Sequence, residues 1–488
     1  MCGIVGIIAN NGNVVTDIYD ALISIQHRGQ DAAGIITFDD AFHLKKGSGL
    51  VQDVFTEKNI ARLAGRRGLG HVRYPTVGPG TGEDAQPFYL TAPFGIAMVH
   101  NGNVVNYHDL RKELEKKDHR LLSSMCDVEV ILNIFAEELS KQNLDNVGPD
   151  EIFKAVEGVY RRIHGAYSVI AYIAGKGLLA FRDPWGIKPL VYACTTKNGR
   201  KACGFFSETV AIDIVGFTEG QQDVGAGEAV FIDEDLTVHK KAIMPKEHSP
   251  CMFEWIYFAR PDSFIDEISV YRTRRRLGRE LARVWEKTKL KADVVIPVPD
   301  SARSAALSFS QETGIPYREG FVKNRYVGRT FIMANQAKRQ ASIRYKLNTI
   351  RLEFEGKRVL IIDDSIVRGN TSAAIIKAAR AAGARKVYFA SYSAPLKFPC
   401  VYGIDMSTKD DFIALNRTED EIAKTIGADK LIYQTVDGMI RSAIAGNKKI
   451  TNFCLACFTG KYPTGDITPF LESIENDRRC ACADTLED

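Results

Sequence analysis

The stretch VLIIDDSIVRGNTS, residues 359–372, is the most informative segment of this 488-residue sequence. An apolar run, typical of a buried strand, ends in Asp363 and Asp364, and a short polar loop then opens a helix. Loop amides, hydroxyl groups and a helix N-terminus can together bind a phosphate dianion. Paired aspartates can bind ribose hydroxyls or complete the shell of a Mg²⁺ ion. An Asp-Asp turn with a Ser/Thr helix cap is common on its own, but the whole pattern predicts a phosphate site.

The segments around this stretch alternate between strand and helix patterns. Such alternation predicts a parallel sheet with right-handed crossovers, in which ligands bind beyond the carboxyl ends of the strands. Two acidic loops, residues 299–301 and 363–365, fall at those ends. The predicted elements are a helix over Thr273–Lys289, strands over Val294–Val298, Arg358–Ile362 and Lys386–Ser391, and a helix over Ser372–Ala382.

The chain before about residue 240 has a different character, since short apolar strands mix with amphipathic helices. We therefore predict a domain boundary near residue 240. The strand over Ile96–Val99 is predicted to end at His100. The other predicted elements are a strand over Gly3–Ile8, paired strands over Ala166–Ile173 and Leu178–Phe181, a hairpin of Val230–Ile232 with Leu236–His239, and helices over Thr16–Gln26 and Val128–Leu139.

The net charge is small, because 64 Lys and Arg residues nearly balance 60 Asp and Glu residues. It gives no argument for binding nucleic acid or a membrane surface. The sequence shows no secretory signal and no run of about 18 apolar residues, so we expect a cytoplasmic protein. Its ten cysteines are then expected to be reduced, metal-bound or catalytic rather than disulfide-linked.

Cys2 directly follows Met1, whose removal would place a thiol and a free α-amine on one residue. An α-amine has a pKa near 8 and can accept a proton from the thiol, which activates it as a nucleophile. The guanidinium of Arg73 suits a carboxylate, and Asp127 could hold an ammonium group. The Asn and Gly of HNGN, residues 100–103, can form an oxyanion hole. The alternative is that Cys2 is only a small buried residue of a strand.

Four motifs occur in a fixed order: MCGIVG at residues 1–6, HRG at 27–29, GHVRY at 70–74 and HNGN at 100–103. This ordered set resembles the glutaminase domain of the class II (N-terminal nucleophile) glutamine amidotransferases. The resemblance implies an αββα sandwich for the first part of the chain. We interpret three other features as structural: His27, His71 and the RDPWGIKPL loop at 182–190.

The same resemblance implies roles for five residues. Cys2 would be the nucleophile that attacks the glutamine amide. Arg73 would bind the α-carboxylate of glutamine and Asp127 its α-amine. Asn101 and Gly102 would bind the oxyanion. Some members of the family carry a propeptide before the nucleophile, whereas we expect that only Met1 is removed here.

The stretch 359–372 resembles the 5-phosphoribosyl-1-pyrophosphate (PRPP) motif of the type I phosphoribosyltransferases. Its form DDSIVRG is that of the amidophosphoribosyltransferase family, also called glutamine PRPP amidotransferases. Asn370 departs from that family, in which Thr is usual, although Asn can also donate a hydrogen bond to phosphate. The match covers about residues 2–470. It implies an α/β chain with a glutaminase domain over 2–240, a parallel-sheet phosphoribosyltransferase domain over 241–472 and a polar tail over 473–488.

This resemblance assigns the second site. Ser301, in PVPDS, would contact a metal or pyrophosphate, and one Mg²⁺ per subunit would be held by Ser301, Asp363 and Asp364. The segment KNRYVGRTF, residues 323–331, matches a flexible catalytic loop whose basic side chains could neutralise a leaving pyrophosphate. The implied PRPP-binding residues are Asp363, Asp364, Ser365, Arg368, Gly369, Asn370, Thr371, Ser372, Lys323, Arg325, Tyr326 and Arg329.

Cys454 and Cys457 form a C-x-x-C pair, and Cys251 and Cys400 lie far upstream. Four thiolates can bind zinc or a [4Fe–4S] cluster, and spacing does not separate these two. The segment CLACFTGKYP is characteristic of an iron–sulfur branch of the family, so the resemblance implies one structural [4Fe–4S] cluster per subunit on these four cysteines. The remaining cysteines are interpreted as exposed thiols (Cys480, Cys482) or packing residues (Cys126, Cys194, Cys203).

The resemblance implies that glutamine, PRPP and water give 5-phosphoribosylamine, glutamate and pyrophosphate, the first committed step of purine synthesis. Ammonia would pass internally between the two sites. A homotetramer inhibited by purine nucleotides is also implied, with neither nucleic acid nor a membrane as partner. One alternative is another class II amidotransferase, although the Ser-Gly-Gly-Leu-Asp-Ser loop of asparagine synthetases is absent. A second is a catalytically silent nucleotide-binding regulator, which Cys2, Asn101 and the Asp363–Asp364 pair disfavour.

Overall fold

The computed structural model of the protein describes residues 1–74, 84–324, 347–404 and 412–471. Up to Ala242, the chain forms two antiparallel sheets. Their strands are β1 (Gly3–Ala9), β2 (Ala32–Phe38), β3 (Phe42–Ser48), β4 (Arg67–Arg73), β5 (Phe88–Leu90), β6 (Ile96–Val104), β7 (Gly165–Ile173), β8 (Gly177–Arg182), β9 (Val191–Lys197), β10 (Arg200–Phe206), β11 (Glu219–Asp223), β12 (Glu228–Asp233) and β13 (Val238–Ala242). One sheet has the order β11-β9-β10-β1-β4-β2-β3, and the other has the order β13-β12-β8-β7-β6-β5.

The two sheets pack face to face through an apolar core. Ile4 and Leu69 from one sheet and Val99 and Ile170 from the other are fully buried in it. Burial of each such side chain contributes about 1.5–3 kcal/mol. Separate cores attach helices to the two outer faces, which confirms the predicted αββα sandwich. The helices are α1 (Val15–Ser24), α2 (Val51–Val54), α3 (Glu57–Ile60), α4 (Tyr107–Lys116), α5 (Asp127–Ser140), α6 (Pro149–Arg162) and α7 (Thr209–Val215).

The strand that we predicted to end before His100 runs on to Val104. Its last residues pair with β7, so that His100 lies opposite Val169 and Val104 opposite Gly165. A Cβ on Gly102 would lie 2.0 Å from the carbonyl oxygen of Ala166, so only glycine lets the strand pass there. The polar motif HNGN therefore belongs to the sheet, and the sandwich holds its backbone rigidly.

The prediction that Cys194 and Cys203 are separate packing residues is wrong. They form a disulfide that joins β9 to β10. The antiparallel register places the two residues directly opposite each other, with their Cα atoms 4.0 Å apart. Sequence reasoning missed the pair because cross-strand partners are defined by register, and the two residues are separated by nine positions in the chain.

The second part of the chain contains the predicted parallel sheet. Its four strands lie in the order Val294–Pro297, Arg358–Asp363, Lys386–Ser391 and Lys430–Tyr433. The predicted strands are confirmed, and the helix that follows Asp363 begins two residues earlier than expected. The strands are β14 (Phe264–Ile265), β15 (Ile268–Ser269), β16 (Val294–Pro297), β17 (Phe321–Lys323), β18 (Leu347–Thr349), β19 (Arg358–Asp363), β20 (Lys386–Ser391) and β21 (Lys430–Tyr433). The helices are α8 (Val270–Lys287), α9 (Arg303–Thr313), α10 (Asn370–Ala381), α11 (Glu419–Ile426), α12 (Val436–Ile444) and α13 (Ala456–Thr459). None of the helices in the described part of the chain has the length and apolar character needed to cross a bilayer.

A buried ion-pair network joins the two parts. Arg28 is fully buried, and its guanidinium binds Glu208 of the first part and Glu254 of the second, the latter at 2.7 Å. His27 Nε2 also lies 2.7 Å from Glu208, in agreement with its predicted structural role. Burial alone would raise the pKa of Glu208, but Arg28 and His27 more than reverse this and hold it well below its ordinary value. Buried ion pairs therefore connect the two parts of the chain, and removal of one partner leaves an uncompensated buried charge.

Replacing Arg28 with leucine is expected to destabilise the junction by about 3–5 kcal/mol, because the buried carboxylates of Glu208 and Glu254 lose the guanidinium that they share. Thermal unfolding would measure the effect. The contribution of Glu208 is complete above the ordinary glutamate pKa of about 4.3 and is lost as the pH falls below it. Arg66→Leu is the control, because Arg66 pairs with Asp39 on the surface and such pairs contribute about 0–1 kcal/mol. Equal thermal midpoints for the two variants would contradict the prediction.

Candidate active sites

The first candidate site surrounds Cys2, which lies buried just before β1. The backbone N–H of Cys2 donates to Asn101 Oδ1 at 3.0 Å, and the Cys2 thiol lies 3.6 Å from the carbonyl oxygen of Tyr74. Met1 is also buried, and its Sδ lies 2.7 Å from the ammonium of Lys188. Burial lowers the pKa of the Met1 α-ammonium to about 5, and Lys188 adds to the effect. The Met1 α-amine is therefore largely neutral near pH 7.

Asn101 and Gly102 are neighbouring residues of β6, and Asn101 contacts Cys2. Asn101 is fully buried and its Oδ1 is used by Cys2. Its Nδ2 has no hydrogen-bond partner among the described residues. A buried donor without a partner is costly, by about 1–3 kcal/mol, and a substrate oxyanion would supply the missing acceptor. The fold therefore brings Asn101 of the HNGN motif into contact with Cys2.

Asp127 begins α5 and faces the same strand. Its Oδ2 accepts from the backbone N–H of Val104 at 3.0 Å, and His100 Nε2 lies 3.2 Å from its Oδ1. Burial would raise the pKa of Asp127, but His100 and the Val104 N–H lower it below its usual value. Gln86 in turn contacts His100 through the ring Nδ1, at 3.0 Å, and the backbone N–H, at 2.8 Å. Asp127 is therefore a carboxylate in a defined position, suited to an ammonium group.

Arg73 ends β4 and is buried, with its Nη2 3.5 Å from Asp84 Oδ2. Asp84 also accepts from the backbone N–H of Met125 at 3.2 Å. Sequence reasoning missed Asp84 and Gln86, which lie in no recognisable motif and meet the site only through the fold. His71, interpreted as structural, is fully buried, and neither of its ring nitrogens has a hydrogen-bond partner within the described ranges.

The second candidate site lies at the carboxyl end of β19, where Asp363 and Asp364 are buried. The hydroxyl groups of Ser301 and Ser365 each donate to Asp364 at 2.6 Å. Burial raises the pKa of both aspartates, and the Asp364 carboxylate raises that of Asp363 further. Two desolvated carboxylates side by side favour a cation or hydroxyl donors as their ligand.

The loop after these aspartates leads into the N-terminus of α10. Gly369 has a φ of 81°, and a Cβ there would lie 2.4 Å from Ile413 Cδ1, so the turn requires glycine. Arg368, Asn370 and Thr371 are exposed, and Ser372 is buried. The free N–H groups of the first helical turn and these side chains can surround an anion. Asn370, the departure from the family pattern, is the first residue of the helix.

Lys323 lies at the edge of this site, with its Nζ 3.4 Å from Asp300 Oδ2. The three other residues predicted for the catalytic loop, Arg325, Tyr326 and Arg329, lie outside the described residues. So do Cys480 and Cys482.

The four cysteines predicted as cluster ligands lie in one core at the junction of the two parts. All are buried, and none is in a disulfide. Cys251 and Cys454 occupy paired extended segments, in which the Met252 N–H donates to the Cys454 carbonyl at 3.2 Å. The carbonyl of Cys457 accepts from Lys397 and Phe398 at 3.0 and 3.1 Å, which fastens the Cys400 segment to it.

These thiols influence one another electrostatically. Burial raises the pKa of Cys251 to about 12, against the opposing effect of Lys188, and Cys400 raises it further. The pKa of Cys454 and that of Cys457 are well above the ordinary value because of burial and the neighbouring thiols. Within the described ranges, no three His, Cys, Asp or Glu side chains are already spaced to hold a metal ion. The donor chemistry fits a thiolate-bound metal group, since four clustered thiols are the ligands that iron–sulfur clusters use.

Comparison with known proteins places this geometry in context. A family profile described as a glutamine amidotransferase domain matches residues 73–213. The amidophosphoribosyltransferase of Haemophilus influenzae is 49% identical over 486 residues, covering 98% of this chain and 96% of the relative. That of Saccharomyces cerevisiae is 44% identical, covering 98% of this chain and 95% of the relative. A solved structure, glutamine PRPP amidotransferase from B. subtilis complexed with ADP and GMP, is 37% identical with a TM-score of 0.83, covering 96% of this chain and 98% of that one.

Proposed function

This chain belongs to the amidophosphoribosyltransferase family and catalyses glutamine-dependent amidotransfer to PRPP in purine biosynthesis, and from that premise we propose which residues perform the two half-reactions. Residues 2–240 form the glutaminase and residues 241–472 the phosphoribosyltransferase. The observation that carries the assignment is the hydrogen bond from the Cys2 N–H to Asn101 Oδ1, which leaves the Asn101 amide nitrogen as a buried donor.

In the glutaminase half, the Cys2 thiol attacks the amide carbon of glutamine. The proton of the thiol passes to the α-amine that removal of Met1 exposes on Cys2, and from there to the departing ammonia. Asn101 Nδ2 and the Gly102 N–H bind the oxyanion, and water then hydrolyses the thioester to glutamate. Arg73 and Asp127 hold the α-carboxylate and α-amine of the substrate, which fixes the amide next to the thiol.

In the second half, ammonia attacks C1 of the ribose of PRPP as pyrophosphate departs. Arg368 and the residues 369–372 bind the 5′-phosphate at the N-terminus of α10. The carboxylates of Asp363 and Asp364, with Ser301, bind the ribose hydroxyls and one Mg²⁺ per subunit. The ion supplies positive charge for the pyrophosphate when it is bound. The basic residues Lys323, Arg325 and Arg329 neutralise the charge of the leaving pyrophosphate, and Tyr326 contributes to PRPP binding.

We assign one [4Fe–4S] cluster per subunit to Cys251, Cys400, Cys454 and Cys457. Their burial in one core and the absence of a disulfide among them support this assignment. The cluster is structural, because neither half-reaction transfers electrons. The cluster would join segments of the second part that are distant in sequence. These segments lie at the junction with the first part of the chain.

Protein purified without oxygen is expected to contain about four iron and four sulfide per chain, with the visible absorption of such a cluster. Cys457→Ser should lose the iron and lower the thermal midpoint, because a ligand of a structural metal group contributes directly to folding. Cys194→Ser, which removes the disulfide between β9 and β10, should keep the iron. Stoichiometric zinc without iron in the unaltered protein would contradict the assignment.

The remaining proposals concern partners and location. Because the B. subtilis relative is described as complexed with ADP and GMP, we infer that purine nucleotides inhibit this enzyme. We also propose that the chain assembles into a homotetramer in the cytoplasm. Sedimentation with and without nucleotide tests the assembly. Loss of glutamate release on addition of ADP and GMP tests the inhibition.

Catalysis itself has a direct test. With glutamine as the nitrogen source, glutamate and pyrophosphate should be released together in equal amounts when PRPP is also supplied. A protein with its iron in place that released neither would be the nucleotide-binding regulator, and the proposed roles would fail. A mass spectrum of the intact chain should show the loss of Met1, on which the chemistry of Cys2 depends.

A further inference from the structure

A segment of the second part, Cys400–Ile404, lies directly against the proposed oxyanion hole of the first. The Asn103 side-chain amide donates to the Val401 carbonyl at 3.0 Å, and both residues are buried. Gly403 lies so close to Gly102 that a Cβ on Gly403 would be 2.5 Å from the Gly102 carbonyl oxygen and 2.8 Å from its carbonyl carbon. The contact is therefore backbone against backbone.

The backbone of Gly102 is held on two sides. On one side it pairs with β7, where a Cβ on Gly102 itself would lie 2.0 Å from the Ala166 carbonyl oxygen. Gly403 lies against it from the second part of the chain. Both glycines are required by space, since each approaches a neighbouring backbone more closely than any side chain allows. Gly403 packs against the carbonyl group and the Cα of Gly102. The Gly102 N–H, the proposed oxyanion donor, is attached to the same Cα, so its position depends on a residue about 300 positions away in the sequence.

We propose that Gly403 is a positioning residue for glutamine hydrolysis. With the Asn103–Val401 hydrogen bond, it holds the Gly102 peptide at the position that stabilises the oxyanion. Glutaminase chemistry then requires that the Cys400–Ile404 segment is docked on β6. The proposal rests on the assignment of Asn101 and Gly102 to the oxyanion hole.

The test is the Gly403→Ala variant of the full-length protein. The new methyl group must displace the Gly102 peptide, and a shift of about 1 Å in a catalytic group can cost on the order of 100-fold in rate. The kcat of glutamine hydrolysis should therefore fall by about 10- to 100-fold. The KM for glutamine should stay near its normal value, because Arg73 and Asp127 are untouched. Synthesis from PRPP and ammonia should be unchanged, which shows that the second part is folded.

Gly465→Ala is the matched control. Gly465 has a φ of 96°, close to the 87° of Gly403, but no atom lies within 4 Å of a Cβ there. Both variants carry the same backbone strain, and only Gly403→Ala touches the oxyanion segment. Asn103→Ala is a second probe, which removes the hydrogen bond to Val401 and should lower kcat on the order of fivefold. Equal iron content in all variants would show that the cluster is not the cause.

The outcomes separate this inference from the proposed function. A Gly403→Ala protein with normal glutamine kcat overturns the positioning role while leaving the glutaminase assignment intact. So does a parallel loss of ammonia-dependent synthesis, or an equal loss in Gly465→Ala, because either result means general damage. If Gly403→Ala does not fold, a normal kcat in Asn103→Ala overturns the role instead. If Cys2→Ala still hydrolyses glutamine, the proposed site itself fails.

Discussion

Cys2→Ala is expected to abolish glutamine-dependent formation of phosphoribosylamine and to leave ammonia-dependent formation intact. Removal of the nucleophile of a covalent mechanism costs about 10⁴-fold or more in kcat. The buried Asn101 amide and Gly102 N–H cannot compensate, because they stabilise an oxyanion that no longer forms. Glutamate release with glutamine, and pyrophosphate release with ammonium chloride at high pH, measure the two reactions separately.

The control for Cys2→Ala is the double variant Cys194→Ala/Cys203→Ala, which removes two sulfur atoms from β9 and β10. It should use glutamine at nearly the normal rate. Loss of both nitrogen sources in Cys2→Ala would contradict a mechanism with two sites. Continued glutamine use would remove Cys2 from the chemistry.

Asp364→Asn is expected to lower phosphoribosylamine formation by about 10²- to 10³-fold with either nitrogen source. The Ser301 and Ser365 hydroxyls both donate to this carboxylate, so each of its oxygens accepts a hydrogen bond. An amide removes the charge that we propose for binding Mg²⁺ and ribose hydroxyls, and it replaces one acceptor with a donor. Pyrophosphate release measures the loss.

Hydrolysis of glutamine without PRPP should persist in Asp364→Asn, because Cys2 and its neighbours are unchanged. Asp420→Asn is the control, since Asp420 pairs with Lys430 at the surface and should tolerate the same replacement. Normal synthesis in Asp364→Asn would place the PRPP site elsewhere. A normal rate with ammonia alone would restrict the role of Asp364 to communication between the sites.

Most elements of the fold could be predicted because their patterns are local. The apolar run before Asp363 and the alternation around it predicted the parallel sheet, which the structure confirms. For the first part, the sandwich was implied by the resemblance of the four ordered motifs to the class II glutamine amidotransferases. The prediction failed at HNGN, because polar residues usually end a strand and here they continue it. Gly102 makes this continuation compatible with the neighbouring strand.

Residues that support the sites were harder to find. Asp84 and Gln86 reach Arg73 and His100 from a segment without a motif. The Cys194–Cys203 bond follows from strand register, and the Arg28 network follows from the packing of the two parts. These contacts join residues that are far apart in the chain, so no local pattern indicates them.

The amino-acid sequence alone predicted the candidate groups: a thiol at position 2, the HNGN motif, two aspartates before a polar loop, and four cysteines. Residue identity and short spacing single out these groups, and the family resemblance implies their roles. The three-dimensional packing added how these groups are held. Gly403 against Gly102, and Arg28 between Glu208 and Glu254, depend on two parts of the chain that share one buried junction. Only the folded protein brings them within contact distance.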